Sequence, residues 1–250
     1  MAQGPDLPTG RPLSPERETR QHIMVTRRRH ALALGSGLLG VAALLTLAVS
    51  VEPFSSWVQR VDDRWLAWMV EVRTPWVTSV CMALSTIGGP TVTVPVRLLV
   101  VAMLAFRHRW LQLGAFVGAV ISSELCIGPL KALVDRPRPP GSLVETTSAS
   151  FPSGHAIAGA VTAFGLVLVL LPSSPRRLWA IAVAAAFSGL MALSRTYLAA
   201  HWLTDTVAGA CIGTGLALVW AAGLELARDR YRIASRQPRQ PNKPTVPIPP

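Results

Sequence analysis

The sequence predicts an all-α, polytopic membrane bundle of about six transmembrane helices, and three observations carry that prediction. Half of the 250 residues are hydrophobic and only 15% are charged, and a mean hydropathy of +0.40 is too high for an ordinary soluble domain of this length. Uninterrupted apolar stretches recur near the length of about 20 residues that a helix needs to cross a hydrocarbon core of roughly 30 Å. The basic residues behind the net charge of +11 fall mainly in two tails and in the short turns between apolar runs. That placement orients a membrane protein and argues against a nucleic-acid partner.

Taken in order, residues 1–29 are rich in Pro, Gly and Arg and have no apolar period, which predicts a disordered, basic, cytoplasmic tail. The first apolar stretch, 31–51, follows Arg27-Arg28-Arg29. A signal peptide ending near Ala48-Val49-Ser50 is the other reading, but 21 residues are long for a signal core, which favours a retained helix. In 56–86, Trp57, Trp65, Trp68 and Trp76 interleave with charges, the pattern of a tilted or interface-lying amphipathic helix. The second stretch, 89–106, is interrupted by Pro95 and Arg97; four more follow at 110–131, 154–172, 178–196 and 205–224. They form one six-span domain over 30–225, followed by a basic tail, 226–250, with six prolines from residue 234 onward. Cys81, Cys126 and Cys211 lie inside apolar runs without ligand-like spacing and read as small buried hydrophobes.

The turns at Arg107-His108-Arg109 and Arg176-Arg177, Arg228, Arg230 and Arg232, and both tails fall on one side of a six-span arrangement. The positive-inside bias makes that side cytoplasmic. The segments 52–88, 132–153 and 197–204 then face outward.

Most of the unusual polar residues of the apolar body gather at those outward helix ends. They are Lys131, Arg136 and Arg138; Ser153, Gly154 and His155; and Ser194, Arg195, His201 and Asp205. Arginine forks and a lysine converging with histidines suit a phosphoryl group. Ser153 and Gly154 stand before an apolar helix, where free backbone N–H groups and the positive helix end offer an anion site. His201 and Asp205, four apart, share a helical face, so that the carboxylate can accept the imidazole N–H and leave the other nitrogen free to attack phosphorus. His155 is left for proton transfer.

Three spaced signatures carry a resemblance to the type-2 phosphatidic acid phosphatase superfamily, which also includes the vanadium haloperoxidases. They read Lys131 to Arg138-Pro139, Pro152-Ser153-Gly154-His155, and Ser194-Arg195 to His201 to Asp205. The resemblance implies an α-helical bundle and hydrolysis without a metal or other cofactor. It implies His201 as nucleophile, Asp205 as its orienting partner and His155 as acid, with Lys131, Arg138, Ser153, Gly154 and Arg195 binding phosphate. Leu203 departs from the proline that many relatives carry after His-Trp, with no expected effect on the chemistry.

Taken singly, each signature has a structural reading: a Pro-Ser-Gly helix start, a snorkelling Lys131 or Arg138, an orienting Arg195, an interface anchor at His201. Three in order at the right spacing favour the enzyme. Outside the signatures, Arg136 is either a surface charge or a second contact for a diphosphate, and Glu124 either a functional group at membrane depth or a partner for Arg97. The expected substrate is a lipid phosphate in the bilayer: a polyprenyl diphosphate by slight preference, otherwise phosphatidic acid or phosphatidylglycerophosphate. The expected place is a bacterial inner membrane. A non-enzymatic lipid-phosphate binder or a vanadate-dependent peroxidase is the alternative; retention of both histidines argues against the first, the apolar spans against the second.

Overall fold

A computed structural model describes residues 24–25 and 27–236. Eight helices and no strand occur among them: α1 (Arg28–Ser50), α2 (Phe54–Glu71), α3 (Pro75–Gly88), α4 (Pro90–Phe106), α5 (Trp110–Val134), α6 (Gly154–Leu170), α7 (Pro175–Tyr197) and α8 (Leu203–Arg236). Four of these, α1, α5, α7 and α8, are long and apolar enough to cross a membrane, and α3 with α4 forms a fifth candidate bent by 43°. The shorter apolar helix α6, with 17 residues, stands in the middle of the bundle.

The segment 56–86, expected as one amphipathic helix, is two. Thr74 is extended and Pro75 opens α3 at its first position, where a missing N–H and a fixed φ start a new helix. Helix α2 keeps the amphipathic character, with Trp57 and Trp68 exposed and Asp62 fully buried. The boundary placed at residue 225 lies inside α8, which continues to Arg236. The rest of the two expected tails, apart from Met24, Val25 and the residues from Arg27 onward, lies outside the described residues.

Helix α8 is the strut of the bundle, packing along α1, α5 and α6. Its crossing with α6 is at backbone distance: a Cβ at Gly209 would stand 2.7 Å from the Ser153 carbonyl, and one at Gly213 would stand 2.5 Å from that of Ile157. Small residues spaced four apart are how helices in lipid approach without a hydrophobic driving force between them. Phe116, Leu104, Val161, Val169 and Ala221 fill the adjoining core. Leu44, Leu98, Leu99, Leu125 and Trp179 point outward, as hydrocarbon-facing residues do.

At one end of the bundle the fully buried Glu225 of α8 accepts the Met24 N–H at 2.5 Å and the Arg28 Nε–H at 3.0 Å. Arg177, at the start of α7, donates to the Met24 carbonyl. The ends of α1, α7 and α8 are thereby tied together. The C-terminal end of α5, the start of α6, the end of α7 and the start of α8 meet at the opposite end.

Candidate active site

Helix α5 stops where Asp135 turns left-handed (φ 41°) and its N–H closes on the Lys131 carbonyl at 2.9 Å, a helix end that short polar residues tolerate. The chain then runs through 135–153 as a loop over this end of the bundle. Lys131 reaches back to donate to the Ala149 carbonyl. Arg138 donates to the Ser148 carbonyl and to that of Ala200, both at 2.6 Å, and one of its terminal nitrogens lies 3.3 Å from His201 Nε2. Helix α7 ends with Ala199 in the left-handed region (φ 50°), its N–H and that of Ala200 capping Thr196 and Arg195 carbonyls at 3.0 Å. That turn sets down the buried His201.

Both neighbours of the His201 ring fix its tautomer. Nδ1 lies 2.7 Å from the Ser150 carbonyl oxygen, which only accepts, so Nδ1 carries the hydrogen. Arg138 only donates, so Nε2 presents its lone pair to the cavity. Burial lowers the imidazole pKa from its ordinary value to about 4, against the raising pull of Asp205 and with help from Arg138 and Arg195. Burial also lowers that of Arg138, against the attraction of Asp205.

The expected direct bond between His201 and Asp205 is replaced by a relay. Asp205 Oδ2 stands 3.7 Å from Nδ1; it accepts instead from Ser150 Oγ and, at 3.0 Å, from the Trp202 N–H. The second contact closes the first turn of α8 as a third-position acid does in a capping box. The Ser150 carbonyl has moved into the place reserved for the carboxylate.

Ser153 caps α6, its Oγ accepting the Ala156 N–H at 3.5 Å while its own N–H donates to the Asp205 carbonyl at 3.1 Å. Gly154 and His155 form the first turn above it. His155 lies within electrostatic reach of Arg195, His201 and Arg138 and meets the Ser85 backbone. Arg195 donates to Ser85 Oγ, and its buried Nε has no partner among the described residues. All eight residues given a catalytic or phosphate-binding role from the sequence, Lys131, Arg138, Ser153, Gly154, His155, Arg195, His201 and Asp205, therefore share one end of the bundle. An anion there would replace carbonyl oxygens as acceptor for Lys131 and Arg138 and take up the spare Arg195 donor.

Several participants were not legible in sequence. Arg136, left open there, is buried: it bonds Asp62 Oδ2 and Gln59 Oε1 at 2.7 Å, Thr204 Oγ1 at 2.7 Å and Asp205 Oδ1 at 2.8 Å, and lies 5.3 Å from the centre of the Trp202 ring. It is neither a surface charge nor free for a second phosphate. Ser150 and Ser85 are short polar side chains in unremarkable contexts. Gly88, at the α3–α4 bend, lets that bend approach α7, since a Cβ there would be 2.5 Å from Met191 Sδ; one on Gly89 would stand at an ordinary contact distance of 3.7 Å from His155 Nε2.

From His155 a cleft of about 700 Å³ runs between α4, α5 and α6. Thr93, Arg97, Val120, Glu124 and Ile127 are among its lining residues. Its walls are apolar apart from Thr93, the Arg97–Glu124 pair and His155 itself.

The PAP2 superfamily signature matches residues 112–228, a stretch that contains all eight residues. Over 176 residues the chain is 29% identical to phosphatidylglycerophosphatase B of Bacillus subtilis, covering 68% of this chain and 85% of that one. Over 144 residues it is 31% identical to the undecaprenyl-diphosphatase of Sulfolobus acidocaldarius, covering 54% and 65%. The crystal structure of a transmembrane PAP2-type phosphatidylglycerolphosphate phosphatase from Bacillus subtilis superposes with a TM-score of 0.63 at 26% identity over 81% of this chain and 98% of that one. LpxE of Aquifex aeolicus shares the fold, with a TM-score of 0.52 at 21% identity over 62% and 91%. With its three signatures assembled at one end of an apolar helical bundle, the chain belongs to the PAP2 superfamily and is a membrane lipid phosphatase, a phosphoric ester hydrolase.

Proposed function

We propose that this chain hydrolyses the phosphate monoester of a glycerophospholipid, phosphatidylglycerophosphate or phosphatidic acid, through a phosphohistidine on His201. The observation that carries the mechanism is the enforced Nδ1–H tautomer of His201, which leaves Nε2 as a neutral nucleophile among three cationic side chains. Lys131, Arg138 and Arg195, with the Ser153 hydroxyl and the Gly154 N–H, hold the phosphate oxygens. Nε2 attacks phosphorus as the bond to the lipid oxygen breaks, and His155 delivers a proton to that oxygen so that the lipid leaves as an alcohol. A water then attacks the phosphohistidine and gives its proton to His155. The P–N bond breaks, phosphate departs, and His201 returns to its neutral form. Asp205 acts on the nucleophile through Ser150, whose carbonyl aims the ring.

The monoester is favoured over the polyprenyl diphosphate preferred from sequence because Arg136, the residue that could have met a second phosphate, is committed to Asp62 and Asp205. The undecaprenyl-diphosphatase relative keeps the diphosphate as the second reading. We further place the reaction on the non-cytoplasmic face of the cell membrane, with both termini cytoplasmic. The support is the grouping of the basic turns at the end of the bundle away from His201.

Phosphate release by purified full-length protein from phosphatidylglycerophosphate, phosphatidic acid and undecaprenyl diphosphate decides between the substrates. His201→Ala is expected to lower the rate at least about a thousandfold; undiminished release by that variant refutes the nucleophile. A reporter fused after residue 144 is expected outside the cytoplasm, and a cytoplasmic signal there reverses the topology.

A further inference from the structure

The cleft below His155 contains a charged pair with no part in the chemistry just described. Arg97 of α4 bonds Glu124 of α5 at 2.6 Å and Thr162 of α6 at 2.9 Å, and its remaining terminal nitrogen makes only a long contact of 3.4 Å to the Ala158 carbonyl. The Arg97 side chain is 8% exposed and that of Glu124 is 52% exposed, and both line the cleft that His155 also lines. Ion pairs at membrane depth are expensive and are kept where they face a cavity or a substrate path. A pair serving only to tie three helices would be sealed on all sides; this one lines an open cleft that Gly154 and His155 of the candidate site also line.

Its depth identifies what it meets. Ala158 and Thr162 lie one and two turns into α6 beyond the phosphate-facing start of that helix, and a turn is about 5.4 Å. A lipid whose phosphate sits between His155 and His201 would carry, at that level, either the ester carbonyls of a diacylglycerol or, in a polyprenyl chain, bare hydrocarbon. A guanidinium with a weakly used donor is matched by a carbonyl oxygen and left unmatched by hydrocarbon, which makes the difference a source of selectivity.

We infer that Arg97, held in place by Glu124, is a specificity-determining residue that donates a hydrogen bond to an ester carbonyl of a diacyl lipid phosphate in the cleft. The inference rests on the glycerophospholipid phosphatase reading proposed above and adds the part of the lipid by which the substrate is told from others. It also assigns the cleft one occupant, the glycerol-ester region of the substrate, with the acyl chains continuing past Val120 toward the lipid-facing side.

The test compares phosphatidic acid with its di-O-alkyl analogue, which has the same phosphate and chains but no carbonyls, presented to the purified full-length protein in mixed micelles. The wild type is expected to show a KM about tenfold lower for the diester, equivalent to about 1.4 kcal/mol. In Arg97→Met combined with Glu124→Gln, which leaves no orphaned acid, the diester KM is expected to rise to that of the diether, erasing the preference. A wild type that handles the two lipids alike overturns the inference, and that measurement stands whatever the stability of the variant. A variant that slows both lipids but keeps their tenfold ratio overturns it too, since a purely structural pair would behave so. Absence of phosphate release from both lipids, with phosphatidylglycerophosphate left intact as well, overturns the proposed function itself, and the inference with it.

Discussion

Replacing Arg136 with methionine removes the residue on which two fully buried carboxylates depend. The guanidinium holds Asp62 at 2.7 Å and Asp205 at 2.8 Å, and adds Gln59 and Thr204 at 2.7 Å. Methionine has a comparable length and packs against Trp202, so the loss is electrostatic rather than a cavity. Removing one partner of a buried ion pair costs about 3–5 kcal/mol because the other charge is left without compensation. Each carboxylate does keep other donors, the Thr204 N–H for Asp62 and the Trp202 N–H for Asp205. For a chain of this size that loss lowers the melting temperature by about 6–20 °C. Tryptophan fluorescence during thermal unfolding of the detergent-solubilised protein reads it directly. Pairing Arg136→Met with Asp62→Leu, which removes one of the two orphans, should recover roughly half of the loss. Arg136→Lys should fall between wild type and Arg136→Met, since an ammonium cannot span four acceptors. Unfolding of Arg136→Met within about 2 °C of wild type would refute the assignment of this residue as the buried tie between α2 and the catalytic loops.

Three further outcomes follow from the site. Because the reactive form of His201 is neutral and burial holds its pKa near 4, acidification from neutrality should bring no loss of kcat/KM through the nucleophile. Protonation of the nucleophile should cost about tenfold per pH unit only below that value; an acid limb centred at the ordinary imidazole value of about 6.5 contradicts the buried, neutral nucleophile. Ser150→Ala keeps the carbonyl that accepts from His201 but cuts its tether to Asp205, so kcat should drop about 10–100-fold with little change in melting temperature. Equal loss from Ser150→Ala and Asp205→Ala would be expected if the relay is the only service Asp205 performs, and a larger loss for Asp205→Ala measures its share in holding Arg136 and α8. Gly213→Val places a side chain against the Ile157 carbonyl, where even a Cβ would stand at 2.5 Å. The overpacking should destabilise the bundle by about 1–3 kcal/mol and shift His155 relative to His201, seen as reduced thermal stability and reduced phosphate release together.

The helical bundle was legible because each apolar run is local: its length and the charges that bound it are continuous in sequence, and a bilayer demands little more. The gathering of the signature residues was legible for a related reason. Each signature sits on a single helix end, and the three come in fixed order. Where reading stopped, the missing information was a contact between distant segments. Nothing near Asp62 announces that it meets Arg136, 74 positions on, or that Ser85 will receive Arg195 from 110 positions away. The split of 56–86 was signalled by Pro75, but that Gly88 at the α3–α4 bend comes up against Met191 of α7 depends on how those helices pack.

The sequence by itself therefore determined the class of molecule, a membrane-spanning helical protein with the three signatures of the superfamily, because composition, span length and short-range spacing are properties of continuous segments. Only the tertiary structure decided which nitrogen of His201 is free. The four-residue spacing pointed to Asp205 as the hydrogen-bond partner, and the folded loop supplies the Ser150 carbonyl instead. It also decided that Arg136 is a buried tie and that Arg97 with Glu124 lines a cleft shared with His155. The physical reason is common to all three: a polar group takes whichever partner folding brings within about 3 Å, and for groups carried on separate helices that distance is set by how the helices pack.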